Sequence, residues 1–301
     1  MFEEHLTHCE LCPRRCGANR AAGHRGVCGA ADGLRVARAA LHFWEEPPIS
    51  GDAGSGTVFF SHCPLHCVYC QNAPIANGSV GADISVARLA RIFLELQEQG
   101  ALNANLVTAT HYAPHAVAAL RSARAEGFRL PVVWNTSGYE TQETIAYIAG
   151  DVDTFLTDMR YADPSSAKAY SHAPDYPRIA RSALSAMART DAAIIVRILV
   201  LPGRLDEAKE NVRFVHEMYG DRVTLSMMSQ YTPPASCTGH PELERKVTPA
   251  QYEELLDFAD SIGCDEYFWQ DGDAAQESFI PDFFDLEGVL APSAAAASSP
   301  W

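Results

Sequence analysis

The sequence contains no apolar run near the roughly 20 residues that a helix needs to cross a bilayer. Residues 1–5 include two acids and lack the apolar region of a secretory signal. Positive charge is scarce as well, because 23 Lys and Arg stand against 38 Asp and Glu, for a net charge of −15. Such a surface repels nucleic-acid phosphates and anionic lipid. We therefore expect a cytoplasmic protein that binds neither nucleic acid nor a membrane.

The length of 301 residues and the hydrophobic content of 47% suit one core of α/β-barrel size, or such a core with a small appendage. Residues 1–32 are rich in Cys, Arg and Gly and carry no helical or strand period, so we expect a separate segment that a metal orders. Residues 33–291 form the predicted core. The Ala, Ser and Pro tail over 292–301 is expected to be disordered.

Within the core, short apolar runs alternate with amphipathic helical stretches, which predicts a parallel sheet covered by helices. Two layouts fit this rhythm, an open doubly wound sheet and a curved partial barrel. Both place the chemistry at the carboxyl ends of the strands. The six predicted strands cover residues 57–61, 105–109, 131–135, 154–158, 193–200 and 223–228.

Nine cysteines are present, and they are unevenly placed. Cys237 and Cys264 stand alone, whereas the others fall into two groups. Because cytoplasmic thiols stay reduced, grouped cysteines indicate metal ligands rather than disulfides. One group comprises Cys63, Cys67 and Cys70, and the other comprises Cys9, Cys12, Cys16 and Cys28.

The spacing C-x3-C-x2-C at Cys63, Cys67 and Cys70 directly follows the first strand of the alternating run, so it lies at the catalytic end of the sheet. A [4Fe-4S] cluster usually takes four thiolates, and three leave one iron open to a substrate or cofactor. The alternatives are a zinc site completed by His62 or His66, and a chance grouping.

An aromatic residue, Tyr69, precedes the third cysteine, and C-x3-C-x-aromatic-C after the first strand of a β/α fold resembles the radical S-adenosylmethionine superfamily. The resemblance implies that S-adenosylmethionine chelates the open iron through its amino and carboxylate groups and that an electron from the cluster cleaves it. The products would be methionine and a 5′-deoxyadenosyl radical that takes hydrogen from a substrate. The resemblance further implies a partial (β/α)6 barrel, catalytic roles for Cys63, Cys67 and Cys70, and an electron donor of flavodoxin or ferredoxin type.

Further segments are similar to proteins related to the pyruvate formate-lyase activating enzyme, in the oxidoreductase class. This likeness implies an activase that abstracts hydrogen from a glycine backbone of a glycyl radical enzyme. A radical enzyme that acts on a small molecule or on another protein is the second hypothesis. A non-catalytic metal-binding or electron-carrying protein is the third. The similar segments are residues 12–20, 45–51, 54–60, 70–72, 134–140, 201–203 and 229–231.

Polar residues at strand ends are the candidates for holding S-adenosylmethionine. Asp158 and Arg160 resemble an Asp-x-Lys motif of the activating enzymes, with Arg in place of Lys, and a surface ion pair is the alternative. Arg197 lies inside an apolar strand and needs a partner, either a cofactor carboxylate or a structural acid such as Asp158. Tyr69 is assigned to the cofactor pocket with them.

The Gly-Gly-Glu motif by which the activating enzymes contact the methionine amino group is missing. The end of the second predicted strand, at residues 108–111, offers Thr108 or Thr110 as the replacement. Asn135 and Ser137, after the third predicted strand, are predicted polar neighbours of the cofactor, with turn formation as the alternative.

The N-terminal group places four thiolates between residues 9 and 28. An all-cysteine zinc site and a second [4Fe-4S] cluster both fit this spacing, and four free thiols are the alternative. Zinc would order the segment, whereas a cluster would relay electrons. Basic neighbours would offset the charge of the thiolates. They are Arg14, Arg15, Arg20 and Arg25.

Overall fold

Strands and helices alternate along the chain in a computed structural model, which describes residues 4–234, 237, 239–270 and 280–290. The six predicted strands are confirmed as β2 and β4 to β8, with end points shifted by at most two residues. The predicted disordered tail over 292–301 lies outside the described residues. The strands are β1 (Leu34–His42), β2 (Ser55–Phe60), β3 (Ala82–Ile84), β4 (Ala104–Val107), β5 (Val132–Thr136), β6 (Thr154–Asp158), β7 (Ala193–Leu199), β8 (Thr224–Met228) and β9 (Tyr267–Phe268).

Four of the described α-helices begin at a residue whose side chain caps them. Ser85 accepts a hydrogen bond from a backbone N–H of the following helix, and Thr248 forms a capping box with Gln251. None of the described helices is long and apolar enough to cross a membrane. The helices are α1 (Glu4–Thr7), α2 (Pro47–Ser50), α3 (Ala73–Ala76), α4 (Val86–Glu98), α5 (Ala113–Ala125), α6 (Gln142–Ile148), α7 (Pro164–Ser171), α8 (Tyr176–Met187), α9 (Leu205–Tyr219) and α10 (Pro249–Ser261).

The order of the strands across the sheet is β3-β1-β2-β4-β5-β6-β7-β8-β9. Neighbours are parallel from β2 to β9, whereas β1 runs antiparallel to both β2 and β3. A doubly wound sheet reverses its strand order at a switch point, but these parallel strands follow one another in chain order. Right-handed crossovers between strands in steady sequence place all their helices on one face. The structure therefore confirms the predicted partial (β/α)6 barrel and excludes the doubly wound layout.

Side chains alternate along each strand between the helix layer and the concave face of the sheet. In β7, Val196 and Ile198 pack into the main hydrophobic core, so Arg197 between them points to the concave face. Strand register then pairs Asp158 with Arg197 and Arg197 with Ser226. Period-2 alternation thus brings polar residues that are distant in sequence to one surface.

The sequence pattern does not indicate helix α7, which lies in the stretch between β6 and α8. Helix α7 begins after Asp163, whose side chain accepts a hydrogen bond from Ser165 N at 2.8 Å. Two of its buried residues are serines, so the sequence lacks the stripe of apolar residues that would indicate a helix packed on the core. Helix α7 ends beside the cysteine loop described below, at the end of the barrel where the candidate site lies.

Candidate functional site

The three clustered cysteines lie in a loop that joins β2 to α3. Its stem is fixed by His62 N–H, which donates to Ile75 O at 2.7 Å. His62 and His66 take positive φ values of 74° and 53°, a conformation that side chains other than glycine rarely adopt. Each of these histidines precedes a cysteine, so the two tight turns set the directions of Cys63 and Cys67.

The thiols of the loop are free and line one cavity. The residues are partly exposed, but their sulfurs lie deep enough for burial to raise the pKa of Cys63 to about 11 and that of Cys70 to about 12. The charge of the neighbouring Cys67 raises the pKa of both further. Within the described part of the chain, no group of three or more Cys, His, Asp and Glu side chains is already arranged to hold a metal ion.

The cavity beside the cysteines has two parts at the carboxyl ends of the strands, and both are lined by Asp158, Arg160 and Arg197. The inner part is bordered by the three cysteines, and the outer part extends past Gln71 and Gln230. All the residues predicted to contact the cofactor border one or both parts. They are Tyr69, Thr108, Asn135, Ser137, Asp158, Arg160 and Arg197.

Asp158 lies between two arginines on the cavity wall. Its Oδ1 accepts a hydrogen bond from Arg197 Nε at 2.8 Å, and its Oδ2 accepts one from Arg160 Nη2. The partner proposed for Arg197 as a structural acid is therefore present. The ion pair between Asp158 and Arg160 is also formed, but it borders the cavity, with the Asp158 side chain only 13% exposed.

Glu45 is a further acid at this site that was not predicted as a site residue. Its Oε2 accepts from Arg197 Nη1 at 3.2 Å, and its Oε1 accepts from Asn135 Nδ2 at 3.1 Å. Asn135 Oδ1 accepts in turn from Arg197 Nη2 at 2.8 Å. Burial raises the pKa of Glu45, while the charge of Arg197 opposes that shift. Arg197 thus donates to three different protein side chains and is held as the centre of the network.

Three buried polar atoms of cavity-lining residues have no hydrogen-bond partner among the described residues, namely Arg160 Nε, Ser137 Oγ and His62 Nδ1. A buried polar group left unsatisfied costs about 1–3 kcal/mol. Arg160 also lies over the Tyr69 ring, with its Cζ 6.0 Å from the ring centroid. Unlike Arg197, Arg160 therefore keeps donor capacity for a ligand, and these atoms fit the polar groups of a zwitterionic cofactor.

The two threonines proposed at the end of the second predicted strand have different surroundings. Thr110 donates to Glu140 Oε1 at 2.5 Å, and Thr136 donates to the same atom. Burial raises the pKa of Glu140 to about 7 despite both bonds. Thr110 is therefore engaged within the protein, and Thr108 is the threonine that borders the cavity.

A layer of buried aromatic residues lies beside the cysteine loop. Tyr161 OH lies 2.8 Å from Tyr69 OH and 2.6 Å from Ser171 Oγ, and Ser171 donates to Cys67 Sγ at 3.0 Å. No sequence motif indicated Tyr161 or Ser171, and the local abundance of tyrosine was the one available signal. The layer comprises Tyr69, Tyr139, Tyr161, Tyr170, Tyr176 and Tyr231.

The N-terminal cysteines also approach one another. Cys9, Cys12 and Cys28 are buried, and Cys16 is partly exposed. A Cβ atom at Gly26 would lie only 3.2 Å from Cys16 Sγ and 3.5 Å from Cys28 Sγ, so glycine leaves room for both sulfurs. Burial raises the pKa of Cys12 and Cys28, and the charges of the other cysteines add to the shift. The four side chains are thus near enough for their charges to act on one another.

The arginines near this group contact different partners. Arg20 does act on a thiol, because its charge lowers the pKa of Cys28 against the effect of burial. Arg14 instead donates from Nε to Pro64 O at 2.9 Å, inside the loop of the other cysteine group. Arg25 Nη1 donates to Gly29 O at 2.8 Å. The prediction that all four arginines offset thiolate charge therefore misses the structural use of Arg14.

Comparison with known proteins gives a family match and a fold match. The sequence model of the radical SAM (S-adenosylmethionine) superfamily matches residues 57–215. An uncharacterized protein of Methanocaldococcus jannaschii is 27% identical over 265 residues, which cover 86% of this chain and 76% of that protein.

Among solved structures, Streptococcus suis SuiB bound to the precursor peptide SuiA superposes with a TM-score of 0.51 at 15% identity, over 70% of this chain and 46% of SuiB. SuiB bound to S-adenosylmethionine gives a TM-score of 0.49 at 14% identity, over 70% and 45%. This chain spans less than half the length of the SuiB chains, and the likeness shows the fold alone.

Proposed function

Since this chain belongs to the radical SAM superfamily, whose model covers just over half of it, we propose that Cys63, Cys67 and Cys70 ligate a [4Fe-4S] cluster that cleaves S-adenosylmethionine. The observation that carries the proposal is a loop of three free thiols at the carboxyl end of β2, bordering a cavity with paired arginines and acids. When bound, the cluster and S-adenosylmethionine supply an electron and a radical that abstracts hydrogen.

The chain's own residues would bind and orient the cofactor. The guanidinium of Arg160 is the cation for its carboxylate, because Arg160 Nε is still unpartnered within the described chain. The hydroxyls of Ser137 and Thr108 are donors and acceptors for its amino group and ribose. Asp158 holds Arg160, and Asn135 and Glu45 hold Arg197, so the wall keeps its shape when the pocket fills.

The thiols must change state for iron to bind. Cys63 and Cys70 are protonated at neutral pH when free, and a coordinating thiol loses its proton to the metal charge. The directions of the Cys63 and Cys67 side chains are set by the backbone at His62 and His66, which have positive φ values.

For the substrate, we propose a glycine backbone of a glycyl radical enzyme, as the segments shared with the activating enzymes imply. Gln71 and Gln230 line the outer part of the cavity at the strand ends, and a loop of a partner would meet these side chains there. A modified peptide is the second candidate, since SuiB, which shares the fold, has been solved with a precursor peptide. The electron would come from a flavodoxin or ferredoxin. We further propose that the four N-terminal thiols hold zinc or a second cluster.

The test uses protein purified without oxygen and reconstituted with iron and sulfide. Electron paramagnetic resonance of the reduced protein, with and without S-adenosylmethionine, is combined with an assay of 5′-deoxyadenosine. We expect a cluster signal that the cofactor shifts, and 5′-deoxyadenosine only from the parent. The inactive variant carries Cys63→Ala, Cys67→Ala and Cys70→Ala, and the matched control carries Cys237→Ala and Cys264→Ala. A parent that binds zinc and no cluster would contradict the proposal.

A further inference from the structure

Among the residues that the structure describes, one of the three loop sulfurs, that of Cys67, has a side-chain donor. Ser171 Oγ, at the last residue of α7, lies 3.0 Å from Cys67 Sγ, and Ser171 is fully buried. Cys63 and Cys70 instead receive hydrogen bonds from backbone N–H groups of the loop itself. A hydroxyl can be removed by mutation without altering the loop, so Cys67 is the ligand whose surroundings can be tested separately.

The hydroxyl protons around Ser171 have a defined order once Cys67 is a thiolate. A serine hydroxyl has one proton, and Ser171 has two neighbours, Cys67 Sγ and Tyr161 OH at 2.6 Å. A thiolate only accepts, so Ser171 donates to Cys67. Tyr161 also has one proton, which it donates to Tyr69 OH at 2.8 Å in the structure. With the Ser171 proton on the thiolate, the 2.6 Å contact needs the Tyr161 proton on Ser171 Oγ, and Tyr69 OH then donates to Tyr161 OH. Tyr161 thereby orients the serine proton toward the sulfur.

The backbone that carries Ser171 is tied to the cysteine loop at two points. Val68 N–H, next to Cys67, donates to Tyr170 O at 2.9 Å. Arg14 donates from Nη2 to Ser171 O at 2.9 Å and from Nε to Pro64 O at 2.9 Å. One guanidinium therefore holds the end of α7 and the cysteine loop together, and the distance from Ser171 to Cys67 does not depend on a flexible rotamer alone.

On the proposed function, in which Cys67 ligates a [4Fe-4S] cluster, we propose that Ser171 is a positioning residue that raises the reduction potential of that cluster. Reduction adds one negative charge, and a hydrogen-bond donor on a ligand sulfur stabilises the more negative state. Tyr161 and Arg14 support this effect by fixing the direction of the hydroxyl. The reductant in the cell would be the flavodoxin or ferredoxin that delivers the electron.

The experiment is a redox titration with dithionite of the reconstituted full-length protein, followed by electron paramagnetic resonance without S-adenosylmethionine. Ser171→Ala is expected to shift the midpoint potential to a more negative value at unchanged iron content. Tyr161→Phe, which keeps the ring and loses the donor, is expected to give a smaller shift in the same direction. The matched control is Ser166→Ala, which removes another buried serine of α7 whose hydroxyl binds Glu207 instead.

A Ser171→Ala protein with the parent's midpoint potential would overturn the inference and leave the proposed function standing. So would an equal shift in Ser166→Ala, since the cause would then be helix packing. If Ser171→Ala does not fold, Tyr161→Phe decides, and an unchanged potential in that variant overturns the inference. A parent without any [4Fe-4S] signal would instead remove the proposed function, and the inference with it.

Discussion

The two cysteine groups are neighbours in the fold, yet their surroundings differ. They are joined by His66 Nε2, 3.1 Å from Val27 O, and by Arg14. In each group, burial raises the pKa of two thiols. The loop group borders a cavity whose wall holds arginines and acids. Thiol number and spacing decide whether a metal binds, whereas the groups that reach the metal decide whether it does chemistry.

Removing one thiol from the loop group should have the largest effect. We expect Cys70→Ala to lower 5′-deoxyadenosine formation by at least about 100-fold, because loss of outer partners alone costs roughly 10–100-fold at metal sites. The rate is measured on anaerobically reconstituted protein. Cys264→Ala, which changes a lone buried thiol, is the control and should match the parent. Full activity in Cys70→Ala would place the cluster elsewhere.

The polar wall is the next difference between the two groups. Asp158→Ala and Arg197→Ala are expected to weaken S-adenosylmethionine binding by about 10–100-fold. Asp158→Ala removes the acid that Arg160 and Arg197 share, and Arg197→Ala removes one of the two arginines that contact Asp158. Equilibrium titration of the reconstituted protein measures the affinity. Arg181→Ala breaks a surface pair with Glu210 and is the control. Unchanged affinity in both wall variants would remove these residues from the cofactor site.

For the N-terminal group, Cys12→Ala is expected to abolish metal binding at the segment and to lower the melting temperature by roughly 4 °C or more. Metal analysis of the purified protein and a thermal scan check the two effects. The cluster signal of the loop should remain, which would separate a structural metal from a catalytic one. If metal content and melting temperature both stay at the parent values, the four thiols are free.

The smallest expected effect is a pH dependence behind the cavity. Burial raises the pKa of Glu140 to about 7 from an ordinary value of 4.5, so the folded state binds more protons between those values than the unfolded state does. The free energy of unfolding therefore falls as the pH rises from 4.5 to 7. Glu140→Gln should reduce the loss between pH 5 and pH 8 by on the order of 1–3 kcal/mol. Urea unfolding measures it, with the exposed Glu143→Gln as control, and an equal loss in the parent and Glu140→Gln would contradict it.

The alternation of strands and helices could be predicted from sequence because the strands are apolar runs with caps and glycines between them. The choice of a partial barrel over a doubly wound sheet came instead from the resemblance of the cysteine motif to the radical S-adenosylmethionine superfamily. The cavity-lining residues could be predicted as well, because carboxyl ends of parallel strands meet at one edge. Glu45 could not, since nothing local to a proline-rich loop shows that its side chain reaches Arg197. Ser171 was missed for a related reason, because α7 buries serines and lacks an apolar period. Arg14 was assigned to the nearest thiols, while its partners lie at Pro64 and Ser171.

The contact between Glu45 and Arg197 joins residues 152 positions apart. Contacts this distant in sequence form late, because a long stretch of chain must be closed before any bond is gained. During synthesis, all seven grouped cysteines are in place well before β7 has been made. The thiols therefore exist for a time beside an incomplete pocket that lacks its central arginine. Iron that bound to the cysteine loop at that stage would do so before Arg197 and its polar partners had formed the cavity wall.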